Sequence, residues 1–294
     1  MIPNEINIDT LALQIDFDDS VKQRNKLELL TRFISNRKLG QLREVKTNQH
    51  MIKYELLYAN SKILTLHTGS TRSRDKKTGK FKKIYYIKIR FAGLKSHNLS
   101  FDKASYESLA TVCALLNTSG TSYRFCELDI ALDVFCPFDN ILAMCTKKSA
   151  NVSYNPISFK QYFSGSPTTY IEDYSDLGKK KNAVLRSYLY DKSAKNKLPF
   201  SVTRFEIKLQ NRFFIKNSFD ISSIRSAFDR YCVMYFSDMY EKQVVINKYN
   251  RKELDLLGFN KSKVYPDFQK IQKLLNEIRG AFVNYNGKII IPKV

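Results

Sequence analysis

The sequence predicts an α+β fold: a mainly antiparallel sheet with helices on one side, followed by a mostly helical C-terminal region. Three observations support this prediction. Consecutive segments alternate apolar and polar residues with a period of two, and hairpin-like strand pairs come before the helices, which favours an antiparallel sheet over a doubly wound one. From residue 220 onward, apolar residues recur at helical spacing. We therefore expect a catalytic domain over 1–215 and a helical region over 216–294.

The first half of the chain starts with a strand and a helix. Residues 6–17 alternate apolar and polar side chains and are predicted to form a strand. Residues 21–35 place Leu27, Leu30 and Ile34 on one face, which predicts a helix. The later elements of this half are two strands, a hairpin and a helix, expected at 51–59, at 61–69, around a turn at Thr78 and Gly79, and from Ser100 or Asp102 to Leu116.

The second half is predicted to contain three further strands, at 124–135, 184–192 and 201–210. A short helix is expected from Pro137 to about Lys147, and a polar connector is expected between the last two strands. After residue 220 the helical stripes consist of Ile221, Ile224, Phe228, Tyr231 and Tyr235, then Phe268, Ile271, Leu274, Leu275 and Ile278.

The charge of the chain indicates a polyanionic partner. The 294 residues include 49 basic and 28 acidic side chains, a formal net charge of +21. In a compact domain with this excess, the positive charges repel one another, and binding of a nucleic acid would offset this repulsion. The alternative is a set of solvated loops in a generally basic protein.

Two basic clusters, at 72–95 and 178–212, favour a nucleic-acid surface over that alternative. Such contacts supply affinity and salt dependence, but they do not select sequence. The residues expected to contact DNA are Lys76, Lys77, Lys80, Lys82, Lys83, Lys88, Arg90, Lys179, Lys180, Lys181, Arg204 and Lys208.

The cysteines and the N-terminus favour a cytoplasmic protein. The five cysteines are odd in number and show no CxxC spacing, so neither a disulfide framework nor a zinc site is expected. The N-terminus lacks the pattern of a signal peptide, and no apolar run is long enough to span a membrane.

Three predicted strands place polar residues on one face at period two. They are Asp129 and Asp133 on the first, Arg186, Tyr188, Tyr190 and Lys192 on the second, and Arg204, Glu206 and Lys208 on the third. If these strands are neighbours, carboxylates, cations and a tyrosine converge. The carboxylates would suit Mg²⁺ or Mn²⁺, and the tyrosine is a candidate nucleophile. The alternative for each strand is a half-exposed sheet with a polar outer face.

The segments FCELDIALDVF, LRSYLYDK and TRFEIKLQ, in this order, resemble the replication initiation factor (Rep-trans) family of rolling-circle plasmid and phage initiators and conjugative relaxases. The resemblance implies a rolling-circle-initiator-like sheet domain. It implies Tyr190 as the nicking tyrosine, with Tyr188 as the alternative, and Asp129, Asp133 and Glu206 as the metal ligands. Lys192 or Arg186 would brace the phosphate. The implied partners are an origin with single-stranded or hairpin character and a host helicase.

Other functions remain open from the sequence. Glu206-Ile207-Lys208, with an upstream aspartate such as Asp129, also fits a metal-dependent hydrolytic nuclease in which Lys208 orients water. A non-catalytic winged-helix initiator and a conjugative relaxase are further alternatives. The C-terminal helices are expected to recognise the origin, to form a homodimer or to pack on the sheet.

Overall fold

The structure is a computed structural model that describes most of the chain. Described are residues 2–37, 39–46, 51–74, 78–145, 160–163, 166–171, 185–210, 213, 221–229, 231–247, 263–273, 284–285 and 288–289. The chain divides into two compact units. The first unit contains residues 8–128 and 274–294, and the second unit contains residues 1–7 and 129–273. The second unit thus includes residues on both sides of the boundary expected at 215.

The strands of the first unit follow the order β2-β3-β4-β5-β1, and all pairs among them are antiparallel. Their bounds are β1 Asn4–Phe17, β2 Gln41–Lys46, β3 Ile52–Tyr58, β4 Ser61–Arg74 and β5 Phe81–Ala92. The α+β class with an antiparallel sheet is confirmed. The hairpin predicted around Thr78 and Gly79 is the β4–β5 pair, whose first arm extends back to Ser61. Strand β2 was not predicted.

Two helices, α1 (Ser20–Asn36) and α2 (Leu99–Thr118), pack on one side of this sheet, as expected, since they contact each other and both contact β5. Helix α1 begins at Asp19, whose side chain accepts a hydrogen bond from the backbone of Val21 at 2.8 Å. The N-cap of α2 is Asn98 rather than Ser100 or Asp102. Asp102 instead accepts the backbone N–H of Ser96 at 2.7 Å.

The strands of the second unit follow the order β6-β11-β10-β9-β8. Their bounds are β6 Arg124–Val134, β8 Lys160–Phe163, β9 Ser166–Ile171, β10 Leu185–Asp191 and β11 Thr203–Gln210. Strand β6 begins in the first unit and enters the second at Asp129. Residues 126–134 of β6 are buried on both faces. The alternative of a half-exposed polar face is therefore wrong for this strand.

The chain after Pro137 differs from the prediction. A single 3₁₀ turn (Phe138–Asn140) leads into strand β7 (Ile141–Cys145), where a short helix was expected. Strand β7 pairs with β12 (Tyr231–Tyr235), so Tyr231 and Tyr235 lie in a strand and not in the predicted helical stripe. A short apolar run fits either a helix or a strand. Here two such runs pair with each other and therefore form strands.

The polar connector after β10 also differs from the prediction, because it contains a short helix, α3 (Lys192–Asn196). The side chain of Asp191 caps this helix by accepting the backbone N–H of Ala194 at 2.9 Å. Lys192 is therefore the first residue of α3, where the sequence placed it at the end of a strand.

The described C-terminal region is only partly helical. Helices α4 (Ile221–Phe228) and α5 (Met239–Asn247) flank β12, residues 268–273 are helical, and β13 (Asn284–Tyr285) pairs with β14 (Lys288–Ile289). Leu274, Leu275 and Ile278 of the second stripe lie outside the described residues. Within the described ranges, no helix is both long and apolar enough to cross a membrane.

Candidate functional site

The three strands that carry the predicted polar faces are neighbours in the second unit, in the order β6-β11-β10. The β10–β11 register places Tyr190 opposite Arg204 and Tyr188 opposite Glu206. Directly opposite residues of an antiparallel pair project from the same face. The polar residues of β10 and β11 therefore share one face, and ion pairs link that face to the aspartates of β6.

Asp133 and Arg204 form the most buried of these ion pairs. Nε of Arg204 donates to Oδ1 of Asp133 at 2.5 Å, and Nη2 donates to Oδ2 at 2.7 Å. Both side chains are 0% exposed. A fork-to-fork pair of this kind satisfies both partners where water cannot. Arg204 therefore does not lie where it can contact a DNA phosphate, which corrects that expectation.

Asp129 forms a second ion pair with β11. Its Oδ2 lies 3.0 Å from Nζ of Lys208, and the side chain of Asp129 is almost fully buried while that of Lys208 keeps some exposure. The carboxylate thus lies in the sheet and the ammonium lies toward its surface. Lys208 was expected either to contact DNA or to orient a hydrolytic water, and in the structure it contacts Asp129.

Tyr190 and Glu206 form the third contact of the site. The hydroxyl of Tyr190 donates a hydrogen bond to Oε2 of Glu206 at 3.0 Å, and both side chains are buried. Nζ of Lys195, on helix α3, lies 4.4 Å from the centroid of the Tyr190 ring. A cation at this distance is attracted by the face of the ring. Tyr190 therefore combines a carboxylate acceptor at its hydroxyl with a positive charge over its ring.

Other predicted site residues take different positions. Tyr188 is half-buried on the same face as Tyr190, whereas Lys192 is buried at the start of α3. The backbone of Arg186 lies opposite Lys208, and its side chain lies outside the described structure. The predicted DNA-contact residues Lys76, Lys77, Lys179, Lys180 and Lys181 also lie outside the described residues.

The three predicted metal ligands contact other side chains in this arrangement. Asp133 pairs with Arg204, Asp129 pairs with Lys208, and Glu206 accepts a hydrogen bond from the hydroxyl of Tyr190. Among the described residues, no three His, Cys, Asp or Glu side chains are grouped so that they could hold a metal. Hard divalent cations need several oxygen ligands with available lone pairs, and a neighbouring cation opposes their binding.

One face of the sheet in the first unit carries two clusters in which cations outnumber a carboxylate. Glu55 contacts three cations: Lys53 at 2.8 Å, Arg43 at 2.9 Å and Lys62 at 3.1 Å. Hydrogen bonds from Lys53 and then Arg43 lower the pKa of Glu55 to about 2. Glu127 contacts two cations, Lys88 at 2.6 Å and Arg90 at 2.8 Å.

Both clusters lie on the same face of the sheet. Directly opposite positions on β2, β3, β4 and β5 are held by Arg43, Glu55, Thr65 and Arg90, so these side chains project from one face. Each cluster keeps a net positive charge, because one carboxylate faces two or three cations. The carboxylates fix the positions of the cations without neutralising them all. Lys88 and Arg90, predicted DNA contacts, thus belong to an ordered cationic face.

The predicted DNA contacts Lys80, Lys82 and Lys83 lie at the outer end of the β4–β5 hairpin and are all exposed. The ammonium of Lys83 lies 5.0 Å from the centroid of the Tyr85 ring. These lysines are open to a ligand, in contrast to Arg204.

Two features of the sites escaped the sequence prediction. Lys195 was counted only as part of a basic cluster, although helix α3 places it over Tyr190. Glu55 was not singled out, although it is buried and lies on a strand, where glutamate is unfavourable. In IKYELLYANSKI, Lys53 lies two residues before Glu55 and Lys62 lies seven residues after it, and basic residues this near a strand glutamate are the signal that points to such a cluster.

Comparisons with known proteins place the chain in no established family. No family model matches the sequence, and no curated protein matches it. A solved structure titled "Structure of Rolling Circle Replication Initiator Protein from Geobacillus stearothermophilus" is similar with a TM-score of 0.38 and 11% sequence identity, covering 94% of this chain and 97% of that one. A similarity at this level carries no argument about the fold or the function of this chain.

The buried ion pair leads to a stability prediction. Asp133→Ala leaves the guanidinium of Arg204 buried without its carboxylate, and we expect a loss of about 3–5 kcal/mol in the free energy of unfolding. The matched control is Asp16→Ala, which removes an exposed aspartate–arginine pair with Arg124 at 2.9 Å and is expected to cost less than about 1 kcal/mol. Urea unfolding measures both.

The double variant Asp133→Leu, Arg204→Met removes both buried charges together. We expect it to be more stable than Asp133→Ala, because well-packed apolar residues replace a buried pair at little cost. An Asp133→Ala variant no less stable than Asp16→Ala would contradict the burial of this pair.

Proposed function

We propose that the chain is a DNA strand-nicking and strand-transfer protein that uses Tyr190 as nucleophile, acting as a rolling-circle replication initiator. The observation that carries the proposal is the hydrogen bond from the Tyr190 hydroxyl to Glu206 at 3.0 Å. A tyrosine is a weak nucleophile until its proton is removed, and a carboxylate in direct contact is placed to accept that proton.

In the proposed reaction, Tyr190 supplies the attacking oxygen and Glu206 carries the proton. Oη of Tyr190 attacks the phosphorus of a phosphodiester, while its proton passes to Glu206. The bond from phosphorus to the 3′ oxygen breaks, and the leaving oxygen takes up the proton from Glu206. The products are a tyrosine linked to the 5′ phosphate and a free 3′ hydroxyl. Attack by a 3′ hydroxyl reverses the steps and reseals the strand without ATP.

Lys195 is the best-placed cation for this step. It lies over the Tyr190 ring and belongs to exposed surface, so its ammonium can meet a phosphate that approaches the hydroxyl. Such a charge stabilises the negative charge that develops on the phosphoryl oxygens. Tyr190 is only 5% exposed, so a scissile phosphate reaches its hydroxyl only when neighbouring side chains rearrange. Each proposed step is assigned to residues of this chain, and none is assigned to a metal.

The charge distribution supports DNA as the substrate. The cationic face of the first unit and the exposed hairpin lysines offer contacts to phosphates that do not depend on sequence. A tyrosine held in a sheet needs a flexible, unstacked strand to reach in-line geometry. We therefore propose single-stranded, hairpin or supercoiled origin DNA as the substrate. A host helicase as partner rests only on the family resemblance.

Replacing Tyr190 tests the nucleophile. Tyr190→Phe is expected to lower strand cleavage by roughly three orders of magnitude or more, because the attacking oxygen is lost. The protein is incubated with single-stranded DNA from the origin of its own replicon, and adducts that survive denaturation are counted on a gel.

Tyr188→Phe is the matched control, since Tyr188 lies two residues away on the same strand face, and it is expected to form adducts at close to the wild-type level. Adducts in Tyr190→Phe would rule out Tyr190. Cut ends without any adduct in the wild type would favour the hydrolytic alternative, and binding without cutting would favour a non-catalytic initiator.

The hairpin lysines are expected to contribute affinity without specificity. Replacing Lys80, Lys82 and Lys83 by Ala should weaken binding to all DNAs alike and flatten the slope of log K against log salt by up to about three units. Fluorescence anisotropy over a salt series measures this slope.

The control removes the same charge through Ala at Arg32 on α1, at Arg37 directly after α1 and at Lys103 on α2, which are all exposed. These replacements should leave the slope nearly unchanged. Equal slopes for the hairpin and helix variants would show that the hairpin makes no phosphate contacts.

A further inference from the structure

The outer end of the β4–β5 hairpin stands apart from the core of the first unit. We define the arm as residues 70–74 of β4 together with residues 80–83 that lead into and begin β5. Every residue of the arm is exposed, on both faces of the ribbon, whereas Gly69 and Ile87 further along the same strands are buried. An isolated two-stranded ribbon gains little stability in water. Core packing therefore does not account for the length of this hairpin.

The side chains of the arm oppose its own pairing. Arg72 lies directly opposite Lys83, and like charges in that position destabilise a strand pair. The arm contains five cations and no acidic residue: Arg72, Arg74, Lys80, Lys82 and Lys83. This repulsion is relieved when a polyanion lies along the ribbon. The charge of the arm is therefore suited to a ligand and not to the folded chain itself.

Phe81 is the apolar residue of the arm, and contacts with phosphates do not require an apolar side chain. Its side chain is 72% exposed, and it pairs with Arg74 at the outermost described rung of the hairpin. Nε of Arg74 donates to the carbonyl of Gly79 at 3.2 Å, which ties this rung to the turn. Lys80 and Lys82 are the residues directly before and after Phe81 in the sequence. An apolar ring is thus presented at the end of a cationic ribbon.

We propose that the arm enters a groove of duplex DNA and that Phe81 wedges between adjacent bases and unstacks them. A two-stranded ribbon fits a DNA groove, and apolar wedges between base steps are an established way in which proteins kink and open a duplex. The inference rests on the proposed DNA function and adds a source for the unstacked strand that Tyr190 requires.

The experiment places one 2-aminopurine beside a flexible TA step in a short DNA duplex, since this base fluoresces more strongly when it is unstacked. Binding is followed in parallel by anisotropy over a salt series. The wild-type protein is expected to raise the fluorescence at saturation. Phe81→Ala is expected to lose that rise and to keep the salt slope, because Phe81 makes no ionic contact with phosphate.

Two control variants test whether the fluorescence rise depends on Phe81 itself. Tyr265→Ala removes another exposed aromatic side chain, from the second unit, and should keep both signals. Lys82→Ala with Lys83→Ala should flatten the salt slope and keep the fluorescence rise once the DNA is saturated. Because all these side chains are exposed, the variants are expected to fold.

The outcomes distinguish the inference from the proposed function. Salt-dependent binding without a fluorescence rise, or an equal rise in Phe81→Ala, overturns the wedge and leaves the proposed function standing. Absence of salt-dependent binding by the wild-type protein overturns both. Binding of Phe81→Ala with an unchanged slope and no rise supports the wedge.

Discussion

The buried pair between Asp133 and Arg204 is the constraint on which the candidate site depends. Both charges are removed from water, so each is stable only beside the other. A shift of one residue between β6 and β11 would turn Arg204 to the face opposite Asp133 and separate the two side chains. The pair therefore selects one register, and this register also brings Asp129 to Lys208. Strand β11 in turn sets Glu206 against Tyr190.

The same constraint changes the role of the carboxylates. Three acidic residues on neighbouring strands predict a metal centre when only residue types are considered. In the structure each carboxylate is matched by a cation or a hydroxyl, and what remains is a tyrosine with a proton acceptor and a cation over its ring. The proposed chemistry is proton transfer from Tyr190 to Glu206 and covalent attack by Tyr190.

The excess positive charge is organised rather than diffuse. On one face of the first unit, Glu55 and Glu127 each hold more cations than they neutralise, and the low pKa of Glu55 keeps its carboxylate ionised at any physiological pH. The arm carries further charge beyond the sheet. Both arrangements cost the folded protein some self-repulsion, which the proposed DNA ligand would relieve.

Much of the fold follows from local patterns in the sequence. Long segments such as β1 and β6 and the helix α1 were predicted close to their observed bounds, because their patterns of apolar and polar residue types extend over many residues. Strands β7 and β12 were mistaken for helices, since short apolar runs do not reveal their partner. The shared face of the polar residues within each of three strands was predicted from spacing, and their convergence was expected only if the strands were neighbours. The ion pairs that occupy Asp133 and Asp129 were not, because pairing across strands depends on register.

Tyr190 is proposed to become joined to DNA during cleavage. To test this, the protein is trapped on single-stranded DNA of its origin, the DNA and the protein are digested, and the modified peptide is sequenced by mass spectrometry. One peptide from β10 is expected to carry a nucleotide on Tyr190, linked through its 5′ phosphate. A nucleotide on Tyr188, or cleaved DNA with no modified peptide, would contradict the role of Tyr190.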